Sequence, residues 1–239
     1  MSPREQLLTA LRRQQPDRVP YTIHAFAPGI DSFNRKAALL FKERTGFYDI
    51  NKYFGIEEHT GWVGFKSTKL DSKERFLKYH HLPENSIFLP WQISYGRGFV
   101  EWTLKHHNHF PENTSFITEW GVVLVIGSDI AYDRLIPPKP GNSVETIEEY
   151  PFPDFTSGYR HNHLEEEVKK IKEDNLASVG AMACTIFERA WQVNGFNEVL
   201  IGFLNNEEWI KVFLDKITEL RVFQARRFAE AGVDIIHTG

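Results

Sequence analysis

Apolar residues recur along this chain at two periods, and the period changes twice. Near the N-terminus Leu7, Leu8 and Leu11 repeat at helical spacing. Ser2 stands as the N-cap, Pro3 fits the first helical position, Glu5 completes a Ser-x-x-Glu capping box, and Pro16 stops the helix. The β-rich run from Arg18 to Phe26 predicts a buried strand before Pro28-Gly29, with His24 and Phe26 toward its carboxyl end. A second helix is expected from Ser32 to about Arg44, with Phe33, Ala37, Leu40 and Phe41 inward.

From Phe54 to Pro140 the period falls to two. Thr60 to Phe65, Phe99 to Leu104, Ser115 to Ile117 and Val122 to Ile126 alternate, broken by Gly, Pro and Asn clusters, which predicts antiparallel hairpins over residues 55–140. The Pro137-to-Asn142 stretch closes this region as a linker, and Tyr150-Pro151-Phe152-Pro153-Asp154 punctuates the chain again.

Helical periodicity then returns. Leu164, Val168 and Ile171 share one face, and the Glu/Lys face between them is solvated. Ala177 to Ala183 reads as a short buried strand of small residues. A long helix over Glu207 to Ala231 has Asn206 as its cap and Ile210, Phe213, Leu214, Ile217, Leu220 and Phe228 inward. Gly232 ends it, and Val233 to His237 forms another strand. Helix, glycine, short apolar strand is the unit of a parallel α/β fold. The sequence stops just after this strand, where a covering helix is ordinarily found. About four parallel strands are expected, against eight in a closed barrel. The chain therefore reads as the first half or more of a longer protein.

Composition narrows the function. The 239 residues are 41% apolar and 25% charged, with a net charge of −4, and no run approaches the length of a bilayer span. The N-terminus has no apolar export segment, so a cytoplasmic location is expected. The mild, unsegregated acidity excludes a nucleic-acid surface. Cys184 is the lone cysteine, so neither an intrachain disulfide nor a zinc site with two or more thiolates can form within the chain. Phe, Tyr and Trp make up 14% of the residues, which suits either a well-filled core or a deep pocket for a flat ligand.

In α/β folds chemistry gathers at the carboxyl ends of the strands. His24 ends the first expected strand and His237 the last. Between them Cys184-Thr185-Ile186-Phe187-Glu188-Arg189-Ala190-Trp191 follows the small-residue strand. Glu188 and Arg189 form either a surface ion pair, worth little, or a ligand site beside Phe187 and Trp191, and the latter is the reading favoured. The histidines of His80-His81, His106-His107-Asn108-His109 and His161-x-His163 lack metal-ligand spacing and are read as loop residues. Dinucleotide, Walker and nucleophile-elbow motifs are absent from the sequence.

Six motifs in order carry a resemblance that covers essentially the whole chain. They are Ser2-Pro3-Arg4-Glu5 running on to Pro16-Asp17-Arg18-Val19-Pro20; Glu119-Trp120-Gly121-Val122-Val123; Tyr150 to Asp154; Phe187 to Trp191; Gly195-Phe196-Asn197-Glu198; and Ala231-Gly232-Val233-Asp234-Ile235-Ile236. Together they resemble the uroporphyrinogen decarboxylase-like superfamily. The resemblance implies an α/β fold of the (β/α)8 TIM-barrel type, here an N-terminal partial barrel with an antiparallel hairpin insertion. Members include uroporphyrinogen decarboxylases and methyltransferases that move a methyl group from a corrinoid protein to a thiol such as coenzyme M. True decarboxylases carry an arginine-rich loop after the first strand. Here that stretch, Ala25 to Asp31, holds no cation, and arginine is the residue suited to capturing carboxylates.

The methyltransferase branch is therefore the leading expectation, with pocket walls from His24, Phe187, Glu188, Arg189, Trp191 and His237. Glu188 and Arg189 would orient a polar group, and Trp191 would pack on an apolar face. Tetrapyrrole decarboxylation without a cofactor is the alternative. A third reading is a non-catalytic binding module or fragment, whose open sheet edges predict aggregation or a homodimer. No cofactor is expected within this chain. In the completed protein the resemblance implies zinc, held by a His-x-Cys and a later Cys beyond Gly239, where it would activate the acceptor thiol. The partners implied are a small-molecule substrate or a corrinoid protein.

Overall fold

The computed structural model describes residues 1–21, 40–47, 53–66, 68, 72–81, 87–88, 115–125, 134–182 and 184–238. In chain order the helices are α1 (Pro3–Leu11), α2 (Ser72–Phe76), α3 (Val144–Glu148), α4 (Leu164–Glu173), α5 (Phe187–Asn194), α6 (Phe196–Leu204) and α7 (Glu208–Glu230). The strands are β1 (Thr60–Val63), β2 (Ile87–Phe88), β3 (Ser115–Ile117), β4 (Val123–Val125), β5 (Arg134–Ile136), β6 (Ala177–Met182) and β7 (Ile235–Thr238).

The architecture is mixed α/β, built on a parallel sheet in the order β1-β6-β7. Thr60 pairs with Ala177, and Val179 with Ile235. All six residues of β6 are buried, as a central parallel strand covered on both faces requires. Helices α4 and α7 lie close against one face because two positions there have no side chain. A Cβ at Gly61 would stand 2.6 Å from Ile171 of α4, and one at Gly180 2.6 Å from Phe228 of α7. Among the described residues no further strand joins this sheet, and they do not form a closed barrel.

A second sheet runs β2-β3-β4-β5, with β3, β4 and β5 antiparallel and β2 parallel to β3. The β3–β4 connection turns at Gly121, whose φ of +74° suits glycine and whose Cβ would meet Phe76 at 2.5 Å and the Tyr150 hydroxyl at 2.6 Å. One apolar core joins both sheets, running from Val63 and Phe76 through Trp120 and Phe155 to Phe213 and Phe228.

Much of the helical reading is met. The Ser2–Glu5 capping box is present, α4 buries Leu164 and Val168, and α7 buries Ile210, Phe213, Ile217 and Phe228. Three expectations need correction. Thr60 to Val63 pairs in parallel with β6, not in a hairpin, because period-two alternation specifies a half-buried strand but no partner. In α1 the buried residue is Gln6, which accepts a hydrogen bond from His59, while Leu11 is exposed. Asn206 takes a left-handed φ of 52°, so Glu207 caps α7. The Tyr150–Asp154 punctuation is met, since the stretch follows α3 without regular structure, and it is also part of the core, with Tyr150 buried and its hydroxyl donating to the Trp120 carbonyl at 2.6 Å. Residues 18–21 are not in a strand. The rest of the first expected strand, most of the second helix, the Phe99–Leu104 segment and His106, His107 and His109 lie outside the described residues.

Candidate functional site

The chain leaves β1 through Gly64 and Phe65, and leaves β6 after Ala181 and Met182. Those carboxyl ends border a cavity of about 30 Å³, completed by Glu119, Trp120, Phe155, Arg189, Arg221 and Gln224. This has room for a water molecule or two.

The roof is the Thr118–Val122 turn between β3 and β4. The Thr118 hydroxyl accepts from the Trp120 and Val122 N–H groups, which fixes the turn and projects Glu119 and Trp120. Glu119 is 4% exposed and meets Arg160, which is fully buried. Arg160 Nη2 donates to both Glu119 oxygens, at 2.9 and 2.7 Å. Its Nε donates to the Lys66 carbonyl and its Nη1 to the Asp154 carbonyl, while the guanidinium lies 4.2 Å over Phe155. These contacts compensate the desolvation of both charges, so the pair rivets the hairpin turn to the loop after β1.

Trp120 has two other guanidinium groups near its ring. Arg189 of α5 lies 4.8 Å from its ring centroid and Arg221 of α7 lies 5.2 Å from it, each within cation–π range. Both arginines converge on the loop after β6. Arg221 donates to the carbonyls of Cys184 and Thr185 and to Gln224. Arg189 donates to Gln192 Oε1 at 2.8 Å, and Gln192 donates to Cys184 Sγ at 3.3 Å. Cys184 itself has a left-handed φ of 56°, uncommon for a residue with a side chain. Desolvation pushes the Tyr150 phenol above its ordinary range, so the group beneath the turn stays a neutral donor.

The predicted site residues separate. Arg189 lines the cavity. Phe187 and Trp191 are four apart on α5 and share a different face, where Phe187 meets Phe196 and Phe203, and Trp191 meets Phe196. Glu188 is half-buried in the first turn of α5, where its charge suits the helix N-terminus. His237 is exposed, pairs in register with Ala181, and meets Trp62 edge-on at 5.2 Å. His24 lies outside the described residues.

Glu119, Trp120, Arg221 and Gln224 were not among the predicted site residues. A signal for two of them exists in the sequence. Positions 210, 213, 217, 221, 224 and 228 form the inward stripe of α7, and all six are buried, yet two are Arg and Gln. A polar side chain on a buried stripe marks a place that must satisfy it.

Two guanidinium groups beside an indole can hold an anionic group, and the Cys184 thiol accepts a hydrogen bond from Gln192, the partner of Arg189. Among the described residues no three side chains of His, Cys, Asp or Glu converge to hold a metal ion, and no helix is long and apolar enough to cross a membrane. No family model, no curated protein and no solved structure matches the chain.

Proposed function

We propose that this chain is an enzyme of the uroporphyrinogen decarboxylase-like kind, of the methyltransferase type, which binds a small substrate at the carboxyl end of its parallel sheet. The carrying observation is the cluster of Arg189, Trp120 and Arg221, raised over the ends of β1 and β6 by a hairpin turn. The order β1-β6-β7, with α4 and α7 on one face, supports a partial (β/α)8 barrel. In that architecture the carboxyl-end loops carry chemistry.

The cavity, with room for a water molecule or two, would admit no more than the charged end of a ligand. An acceptor such as coenzyme M, a thiol with an anionic tail, would place that tail against Arg189 and Arg221. Trp120 would hold both guanidinium planes in position, and Gln192 would orient Arg189. The zinc ion implied for this branch would activate the acceptor thiol, and the described residues include no cluster that fits it. The methyl donor would be a corrinoid protein.

One observation favours the decarboxylase as a second reading: the same arginines could receive a substrate carboxylate, making good the cation missing from Ala25 to Asp31. Two assays on the protein separate them. Methyl transfer from a methylated corrinoid to a small anionic thiol, with KM for the thiol rising at least about tenfold in Arg189→Met and kcat changing less, is the expected result. Conversion of uroporphyrinogen without methyl transfer would reverse the order, and neither activity would overturn the enzyme reading.

A further inference from the structure

The inward stripe of α7 carries a glutamine that packing alone does not require. Gln224 is 4% exposed and lines the cavity at the carboxyl ends of β1 and β6. Its neighbour on the stripe fixes which way its amide faces. Arg221 donates from Nε to the Thr185 carbonyl, from Nη2 to the Cys184 carbonyl, and from Nη1 to Gln224 Oε1 at 2.7 Å. A guanidinium only donates, so the amide oxygen must face Arg221 and the amide nitrogen must face away. That N–H2 group has no acceptor among the described residues. The carboxylate on the same wall is already engaged, since Glu119 accepts from Arg160 and from the Thr68 N–H. A donor that the protein leaves unanswered at a cavity wall is one that water or a ligand must answer.

We infer that Gln224 is a specificity-determining residue of this site. It selects a ligand end made only of acceptor oxygens, a sulfonate or a carboxylate, over the neutral amide of the same shape. This role rests on the anion-binding reading proposed above. The guanidinium groups of Arg189 and Arg221 favour an anion through charge, which varies slowly with position. Gln224 adds a neutral donor whose direction is set by Arg221, and so reads the hydrogen-bonding pattern of the ligand as well as its charge. An oxyanion offers an acceptor wherever it is met. A sulfonamide or carboxamide, however it is turned, brings its own N–H2 against one of the donors on Arg189, Arg221 or Gln224. Discrimination of this kind works by leaving the wrong ligand with a clash of donors.

Chemical-shift titration of the whole chain, followed at the Trp120 indole N–H, tests this role. The probes are ethanesulfonate against ethanesulfonamide, and propionate against propionamide. In the unsubstituted chain the anion of at least one pair should bind at least about tenfold more tightly than its amide, and the tighter pair tells sulfonate from carboxylate. Gln224→Glu still offers Arg221 an acceptor and replaces only the donor. It should weaken the anion at least about tenfold and strengthen the neutral amide at least about threefold. The gain by the amide decides, because a neutral ligand profits from the new carboxylate only by hydrogen bonding to it. Gln224→Met adds no charge and should weaken the anion at least about threefold without improving the amide. If Gln224→Glu fails to fold, as its thermal melt would show, Gln224→Met decides alone. Binding of neither anion to the unsubstituted chain would overturn the anion-site reading itself. If the anion binds but the amide gains nothing in Gln224→Glu, or Gln224→Met holds the anion undiminished, the site stands and the role of Gln224 is overturned.

Discussion

Each end of the parallel sheet is held by a carboxylate–arginine pair, and the two pairs differ in depth. At the amino ends, before β7, Asp234 accepts two hydrogen bonds from Arg4 of α1, at 2.6 and 3.0 Å, and two more from the N–H and hydroxyl of Ser178. Lys172 stands 3.6 Å away, and the Arg4 side chain is 34% exposed. At the carboxyl ends Glu119 and Arg160 are sealed from water. Beyond that pair, the carboxyl end also carries Arg189 and Arg221 around a cavity. The amino end is a latch whose charges answer one another. The carboxyl end places two further guanidinium groups beside Trp120, over a turn fixed by its own ion pair.

The sharpest way to break this contrast is at Glu119. Glu119→Ala leaves Arg160 charged and buried, and should cost about 3–5 kcal/mol in urea unfolding. Replacing both partners, Glu119→Leu with Arg160→Met, should recover most of that loss, because no charge is then stranded. If the double variant were as unstable as the single one, the pair would be holding the turn through shape rather than charge.

At the latch the effect should be smaller and dependent on pH. Asp234→Asn is expected to lose about 1–3 kcal/mol at neutral pH, the range of hydrogen bonds to a charged group. Burial alone would raise the Asp234 pKa, but the bonds from Arg4 and Ser178, with Lys172 nearby, hold it well below the usual carboxylate range. Its contribution is complete above the unfolded value near 3.8 and drains away as pH falls toward the depressed folded value. The variant should therefore show a flatter acid limb below about pH 4. An earlier loss, setting in as pH drops below 6.5, belongs to His59, whose imidazole is held low by burial and by Arg18, and to His80, held low by burial. Acid melts of Asp234→Asn and His59→Gln distinguish the two groups.

Salt gives the contrast without mutation. Destabilisation by Asp234→Asn should shrink between low and molar salt, while that by Glu119→Ala should barely change, since screening reaches exposed pairs and not sealed ones. The smallest effect is at the start of α1. Ser2→Ala removes the cap bond to the Glu5 N–H and should cost about 1 kcal/mol. A larger loss would mean that α1 and the Arg4 contact come away together.

The sequence by itself determined those elements whose physics is local. The capping box at Ser2–Glu5, the inward stripes of α4 and α7, the small-residue strand β6 and the glycine stop at Gly232 all follow from neighbours within a few residues, and all are present. Only the tertiary structure decided who pairs with whom. The alternation of Thr60 to Val63 fits a hairpin or a parallel strand equally well, and β6 settles it from far along the chain. Phe187, Arg189 and Trp191 read as one site in a line of letters. Once wound into α5 they separate, because residues two apart on a helix face nearly opposite ways. Trp120 and Arg221 share a site that no local pattern joins, since a hairpin turn and a distant helix meet only when both are packed against the end of the same sheet.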